Sequence, residues 1–212
     1  MARIEEAFRL AELVCARLCQ DLSGLTGTLN AMLGLAAEEP SPPGESLRFA
    51  GEAAAELDSR ITLLRAAWGP DGGPIDVAQF RVLAEALPGR HRIEVDLSGV
   101  PKGAVFDDRM GRVLLNLMLL AAESLPAGGR MALSGSPGSG ITVTIAGPRA
   151  AWPAGFAAML ADEAAAWAGL TSARTLQAPL TALLARCLGL RLSLLKAPAR
   201  TRTPPAVLLD GG

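Results

Sequence analysis

The residues best placed for chemistry lie in ARLCQDLSG, residues 16 to 24, where a glutamine and an aspartate stand side by side on a helical pattern. With Leu18 and Leu22 on the apolar seam, Gln20 falls about 200° round the helix from Leu18, at ~100° per residue, on the solvated side. Leu13, Arg17, Ser23, Gly24, Gly27 and Thr28 share that face. Glycine inside a helix costs ~1 kcal/mol relative to alanine, so Gly24 and Gly27 weaken the helix that carries them. They either leave room for another protein's backbone to approach, or mark a local kink or a fortuitous weak spot.

Other reactive types are sparse. His91 is the single histidine, set between Arg90 and Arg92 with no acid adjacent, and a lone exposed histidine is usually uncommitted. Cys15, Cys19 and Cys187 are odd in number and show no CxxC spacing, which supports neither a disulfide framework nor a zinc site. Buried free thiols are expected, Cys19 flanking the seam among them. The glycine-rich tract GSPGSG, residues 135 to 140, lies between two strand patterns, where a hairpin turn explains it.

The elements that must position these groups follow from composition and periodicity. In 212 residues, 20 basic side chains balance 21 acidic ones, so no electrostatic field points to nucleic acid. The apolar half of the chain is built from Ala and Leu, with 4% aromatic residues and no Tyr, which favours helix over an aromatic stacking platform. The opening MARIEEAFRL lacks the positive start and apolar run of a secretory signal, and no apolar stretch approaches the roughly 20 residues of a membrane span. A soluble cytoplasmic protein is expected.

Ile4, Phe8, Ala11, Cys15, Leu18, Leu22, Leu25, Leu29, Met32 and Ala36 alternate four- and three-residue steps, a heptad seam. PSPPG (Pro40 to Gly44) turns the chain, and Leu47, Ala50, Ala54, Leu57, Ile61, Leu64 and Trp68 resume the beat. A helix of about 50 Å, at ~1.5 Å per residue, is too long for the rest of the chain to cover. Two hairpins joined about a twofold axis in a four-helix bundle are expected, against the alternative that the stripes pack on their own chain.

After GPDGGP (Gly69 to Pro74) the pattern becomes mixed. Helices are predicted over 76–87, 108–125, 153–169 with Pro153 at its start, and 172–188, and strands over 91–97, 130–136, 140–147, 190–195 and 205–210. The fold class is α+β: a helical hairpin over 1–69, then an α/β sandwich over 75–212. Arg200 and Arg202, in the loop of the last hairpin, either touch an acidic partner or are simply solvated.

This organisation resembles the dimerisation and ATPase-like domains of bacterial histidine kinases, and more closely the histidine phosphotransferases of the ChpT type. Three stretches carry the resemblance: LVCARLCQDLSGLTGTLNAMLGL, VLLNLMLLAAESLPAGG and ARTLQAPLTALLARCLGLRLSL. Asn116 matches the first asparagine of the kinases' NLxxNA box, but the second falls on Leu120, and AGPRAAWPAGF stands where they carry Asp-x-Gly-x-Gly. The resemblance therefore implies no ATP-dependent kinase activity, no nucleotide or other cofactor and no metal, and leaves Asn116 as a helix residue facing a loop.

In the family's first helix the motif ARLCHDL carries the histidine that takes a phosphoryl group from one receiver domain and passes it to another; that position here is Gln20. A carboxamide nitrogen has its lone pair delocalised into the carbonyl and is no nucleophile, so no catalytic residue is expected and Asp21 becomes a displayed acid. The implied function is that of a phosphotransferase relative in two-component signalling. It would be a homodimer that docks receiver domains of response regulators or of a hybrid kinase through Arg17, Gln20, Asp21, Gly24 and Gly27. It would act without phosphotransfer as scaffold, competitor or sequestering partner, and meet neither nucleic acid nor membrane. The alternatives are an active phosphotransferase, either through another acceptor or because Gln20 is a deliberate replacement of a natural histidine, and a plain dimeric interaction protein outside signalling.

Overall fold

The computed structural model describes residues 2–38, 44–70, 72–195 and 203–211. The chain forms two compact units, Met1–Thr62 and Leu63–Gly212.

The first unit contains helix α1 (Ala2–Glu38) and most of α2 (Glu45–Trp68), whose residues from Leu63 onward belong to the second. Arg60 of α2 feels the charges of Arg17 and Asp21 of α1, positions at similar sequence distances on either side of residues 39–43, as in an antiparallel hairpin. Half-buried Leu25, Leu29, Met32 and Ala36 of the predicted seam share burial with Leu13, Arg17 and Asp21, which lie off it. The other half of the seam faces out: Ile4 is 73% exposed, Phe8 68%, and Leu18 is also exposed. On α2, Ala50, Leu57 and Leu64 are covered while Leu47, Ala54 and Ile61 are open. The seam thus divides into a covered and an open stripe, as a helix with two apolar faces requires.

The three thiols correct the expectation of burial, for all are exposed. Cys15 lies on the open stripe with Phe8 and Leu18, and Cys187 ends its helix.

In the second unit a two-residue pair of strands, β1 (Ile75–Asp76) and β3 (Val105–Phe106), brackets α3 (Val77–Ala84). A capping box starts α3: the Asp76 carboxylate accepts the Gln79 N–H at 2.8 Å and the Gln79 side chain accepts the Asp76 N–H at 2.9 Å. Phe80 and Phe106 meet edge to face at 5.2 Å. The main sheet has the order β2 (Ile93–Gly99), β4 (Gly129–Ser136), β5 (Gly140–Ala146), β7 (Val207–Gly211), β6 (Leu190–Leu194). Only β2 and β4 run parallel. Alternate residues Met131 and Leu133, Ile141, Val143 and Ile145, and Val207 and Leu209 are buried, the period-two signature of a one-sided sheet.

On the sheet lies α4 (Asp108–Glu123), buried on every side from Val113 to Ala122, with β3, β4 and α7 (Gln177–Cys187) among the elements packed on it. GSPGSG is a β4–β5 hairpin turn in which Ser139 N–H reaches Ser136 O at 3.0 Å and glycine supplies the positive φ at residues 135 and 140. The helix predicted over 153–169 is two short ones, α5 (Phe156–Ala161) and α6 (Glu163–Ala168), because Asp162 stays extended and caps the second. Pro153 precedes α5, its carbonyl receiving the Phe156 N–H. The first residues of the predicted 172–188 helix form a 3₁₀ turn instead, Ala173–Thr175. Arg200 and Arg202 lie outside the described residues.

Candidate functional site

Helix α1 runs unbroken through the candidate face, so Gly24 and Gly27 mark no interruption. A Cβ built at either would meet nothing within 4 Å. Neither glycine is required by its own chain; both leave bare backbone on an exposed surface. Next to them Thr26 donates to Leu22 O at 3.0 Å and Thr28 to Gly24 O at 3.1 Å, so these hydroxyls satisfy the helix rather than reach outward. Gln20 is exposed at the head of this stretch, as is Cys19 beside it.

Arg17 and Asp21 sit differently from their expected place on the solvated face. The Arg17 Nε–H lies between both carboxylate oxygens of Asp21, at 2.9 and 2.8 Å, and the two side chains are only 11% and 18% exposed. Leu13, assigned to the same face, is buried. One residue of helix turns Asp21 by ~100° from Gln20, enough to carry it from the surface to the flank facing α2. Asp21 is therefore a paired acid with a neutralising cation, not a displayed one.

Sequence reasoning missed Arg60, which α2 contributes to the same cluster. It is 8% exposed, and burial lowers its pKa from the ordinary arginine value against the opposing pull of Asp21 and Glu56. No sequence signal marked it, because the predicted beat runs Leu57, Ile61, Leu64 and leaves position 60 off the seam, whereas in the structure Arg60 is covered and Ile61 is open.

In the second unit Asn116 faces no loop. It is fully buried and has used all its hydrogen-bonding capacity. Its Oδ1 accepts the Trp68 indole N–H and a Gln177 amide N–H, both at 3.0 Å, and its Nδ2 donates to Ala67 O at 2.8 Å and Arg112 O at 2.9 Å. Gln177 also donates to Asn116 O at 3.1 Å, and Thr181 donates to Gln177 O at 2.6 Å. Trp68, read from sequence as a seam residue, instead turns its ring nitrogen into this network. An asparagine so committed has no atom left for a cation, so the residues present do not fit a kinase-type metal–nucleotide site.

His91 is exposed on a 3₁₀ turn, Arg90–Arg92, leading into β2. It belongs to the second unit, and Gln20 to the first. Among the described residues no cluster of three or more His, Cys, Asp or Glu is placed to hold a metal ion, and no helix is long and apolar enough to cross a membrane.

The model of the histidine phosphotransferase C-terminal domain matches residues 70–200. Among solved structures, a bacterial phosphotransferase determined at 1.7 Å has a similar fold, with a TM-score of 0.70 and 22% identity over 96% of this chain and 95% of that one. No curated protein sequence matches. The family match covers the sandwich from the glycine-rich boundary through β6, including Asn116 and Gln177, and the chain belongs to the histidine phosphotransferase family.

Proposed function

We propose that this protein serves two-component phosphorelay signalling by docking receiver domains without accepting their phosphoryl group. The observation that carries the reading is Gln20, exposed on α1 beside two glycines with open space over them. Such a surface admits a partner's backbone closely. Phosphoryl transfer from a receiver would need a nucleophilic nitrogen to form the new N–P bond while the receiver's carboxylate leaves, and a carboxamide offers none. The partner-binding residues are Gln20, Gly24 and Gly27 at the surface, with the Arg17–Asp21 pair on the flank. The open apolar stripe of Ile4, Phe8, Leu18 and Ile61 supports a homodimer in which a second hairpin completes a four-helix bundle.

Two measurements test this. Purified receiver domains should bind the wild-type protein and lose binding to Gly24→Arg, which fills the bare backbone with a long side chain; binding indifferent to that substitution removes the docking face. Incubation with a phosphorylated receiver should leave the wild type unlabelled and give Gln20→His an acid-labile label. Label on the wild type would point to another acceptor and an active phosphotransferase.

A further inference from the structure

We propose that the outer edge of β2 in the sandwich is a docking site for an extended acidic peptide, which adds there as a further strand. The site lies wholly in the second unit and stands independently of docking at Gln20.

β2 ends the main sheet, pairing with β4 on one side and with no strand on the other among the described residues. Successive residues of a strand turn their backbone groups to opposite edges. Ile93 turns outward: its N–H donates to Arg90 O, and its carbonyl accepts the Arg90 Nη1. Val95 and Leu97 therefore face the same way. The Leu97 carbonyl is taken by the Val100 N–H at 3.1 Å. The Val95 N–H and C=O stay open between these satisfied neighbours, the donor and acceptor that an added strand needs.

A cleft of about 470 Å³ reaches this stretch. It is lined by residues 95–98 of β2 together with Val77, Arg81 and Ala84 of α3, so it follows the strand edge and not one face of the sheet. Buried Val77, Ala84 and Leu97 give it an apolar floor. A wider cleft of about 840 Å³ shares Glu85 and Arg90 with it and extends to Arg92.

Charge selects the occupant. Arg81, Arg90, Arg92, Lys102 and Arg130 line the two clefts and outnumber Glu85, Glu94 and Asp96, in a chain whose formal net charge is -1. Glu85 pairs with Arg90 at 2.9 Å, and Glu94 and Asp96 both pair with Arg130 of β4. Arg81, Arg92 and Lys102 are exposed and form no ion pair among the described residues. A strand carrying carboxylates complements these three cations. A second copy of this chain would instead set the same cations against one another, and like charges opposed on paired strands repel.

The full-length protein can be titrated with two short capped peptides, one alternating Glu and Val, the other Lys and Val, and followed by amide NMR and hydrogen exchange. The Glu–Val peptide should shift the Val95 N–H saturably, slow its exchange, and bind at least about tenfold more tightly than the Lys–Val peptide. Val95→Pro removes the outward donor while leaving the β4 ladder alone, and should abolish binding. Arg81→Glu combined with Lys102→Glu keeps the strand intact and should weaken binding at least about tenfold, with loss of its salt dependence. Gly24→Arg should bind the peptide as the wild type does. A Val95 signal that stays still, or responds equally to both peptides, overturns the proposal, as does undiminished binding in the charge-reversed variant. Protection of Val95 that rises with protein concentration alone would give the edge to a second copy and overturn it too.

Discussion

The two units of this chain treat apolar surface in opposite ways. In the sandwich, α4 is covered on all sides and the inward residues of β4, β5 and β7 are shut away from water. In the hairpin, Ile4, Phe8, Leu33, Leu35, Leu47, Phe49 and Ile61 remain exposed. Two buried polar residues illustrate how differently single positions are satisfied. Asn116 is polar, buried and fully satisfied, whereas Arg60 is charged, buried and short of an acceptor. Orphaned buried polar atoms occur in both units, Arg90 Nε, Asp108 Oδ1 and Arg112 Nε in the sandwich beside Arg60 Nε in the hairpin, so the difference between the units lies in their apolar surface. A contiguous apolar stripe left open is the kind of surface that marks an interaction site.

The largest effect should come from breaking the satisfied side. Asn116→Leu keeps the volume but strands the Trp68 N–H and Ala67 O, while the Gln177 amide keeps the backbone O of residue 116 and Thr181 Oγ1. A loss of about 3 kcal/mol or more is expected in denaturant unfolding, and an unchanged midpoint would deny the network its structural role. Next, Phe8→Glu on the open stripe should convert a dimer to a monomer in light scattering while the sandwich's unfolding stays put. Were the stripe ordinary solvated surface, the substitution would change stability by no more than about 0.5 kcal/mol and leave the mass unaltered.

A smaller effect, of opposite sign, is expected at the bare backbone. Gly24→Ala and Gly27→Ala should each stabilise α1 by up to about 1 kcal/mol, seen in thermal melts by circular dichroism, because nothing opposes the added methyl. Destabilisation would mean that a neighbour needs the space.

The smallest effect lies in the sandwich. Hydrogen bonds from Ser98, then the ion pair with Arg130, lower the Asp96 pKa from 3.8 to about 2. Since the folded value is the lower one, the contribution is complete above pH 4 or so and disappears as the pH falls through about 2. Asp96→Asn should therefore cost a little stability near neutral pH and nothing at the acid end. Equal loss at both ends would show that the carboxylate's charge is irrelevant.

Much of this architecture can be read without coordinates. The heptad beat, the glycine-rich boundary and the alternation of β4 and β5 are local signals, and each marks an element that exists. The division of 153–169 was legible too, since Asp162 followed by Glu163 is a helix-start signature that the apolar run obscured. The two-residue strands β1 and β3 carry no periodicity to detect, and only their pairing across the intervening residues defines them.

The candidate site was half legible. Gln20, Gly24 and Gly27 stand where helix geometry puts them. The flank of Arg17 and Asp21 was not, because a three–four repeat gives the angle between residues on one helix but not the direction from which the second helix approaches. Composition and spacing by themselves thus determined the long helices and the alternating strands, and the resemblance to a known family singled out position 20. Tertiary structure decided which apolar stripe is covered, that Arg60 joins Asp21, and that Asn116 is spent on Trp68 and Gln177. Those outcomes depend on contacts between residues as much as 61 positions apart, and no local pattern can specify them.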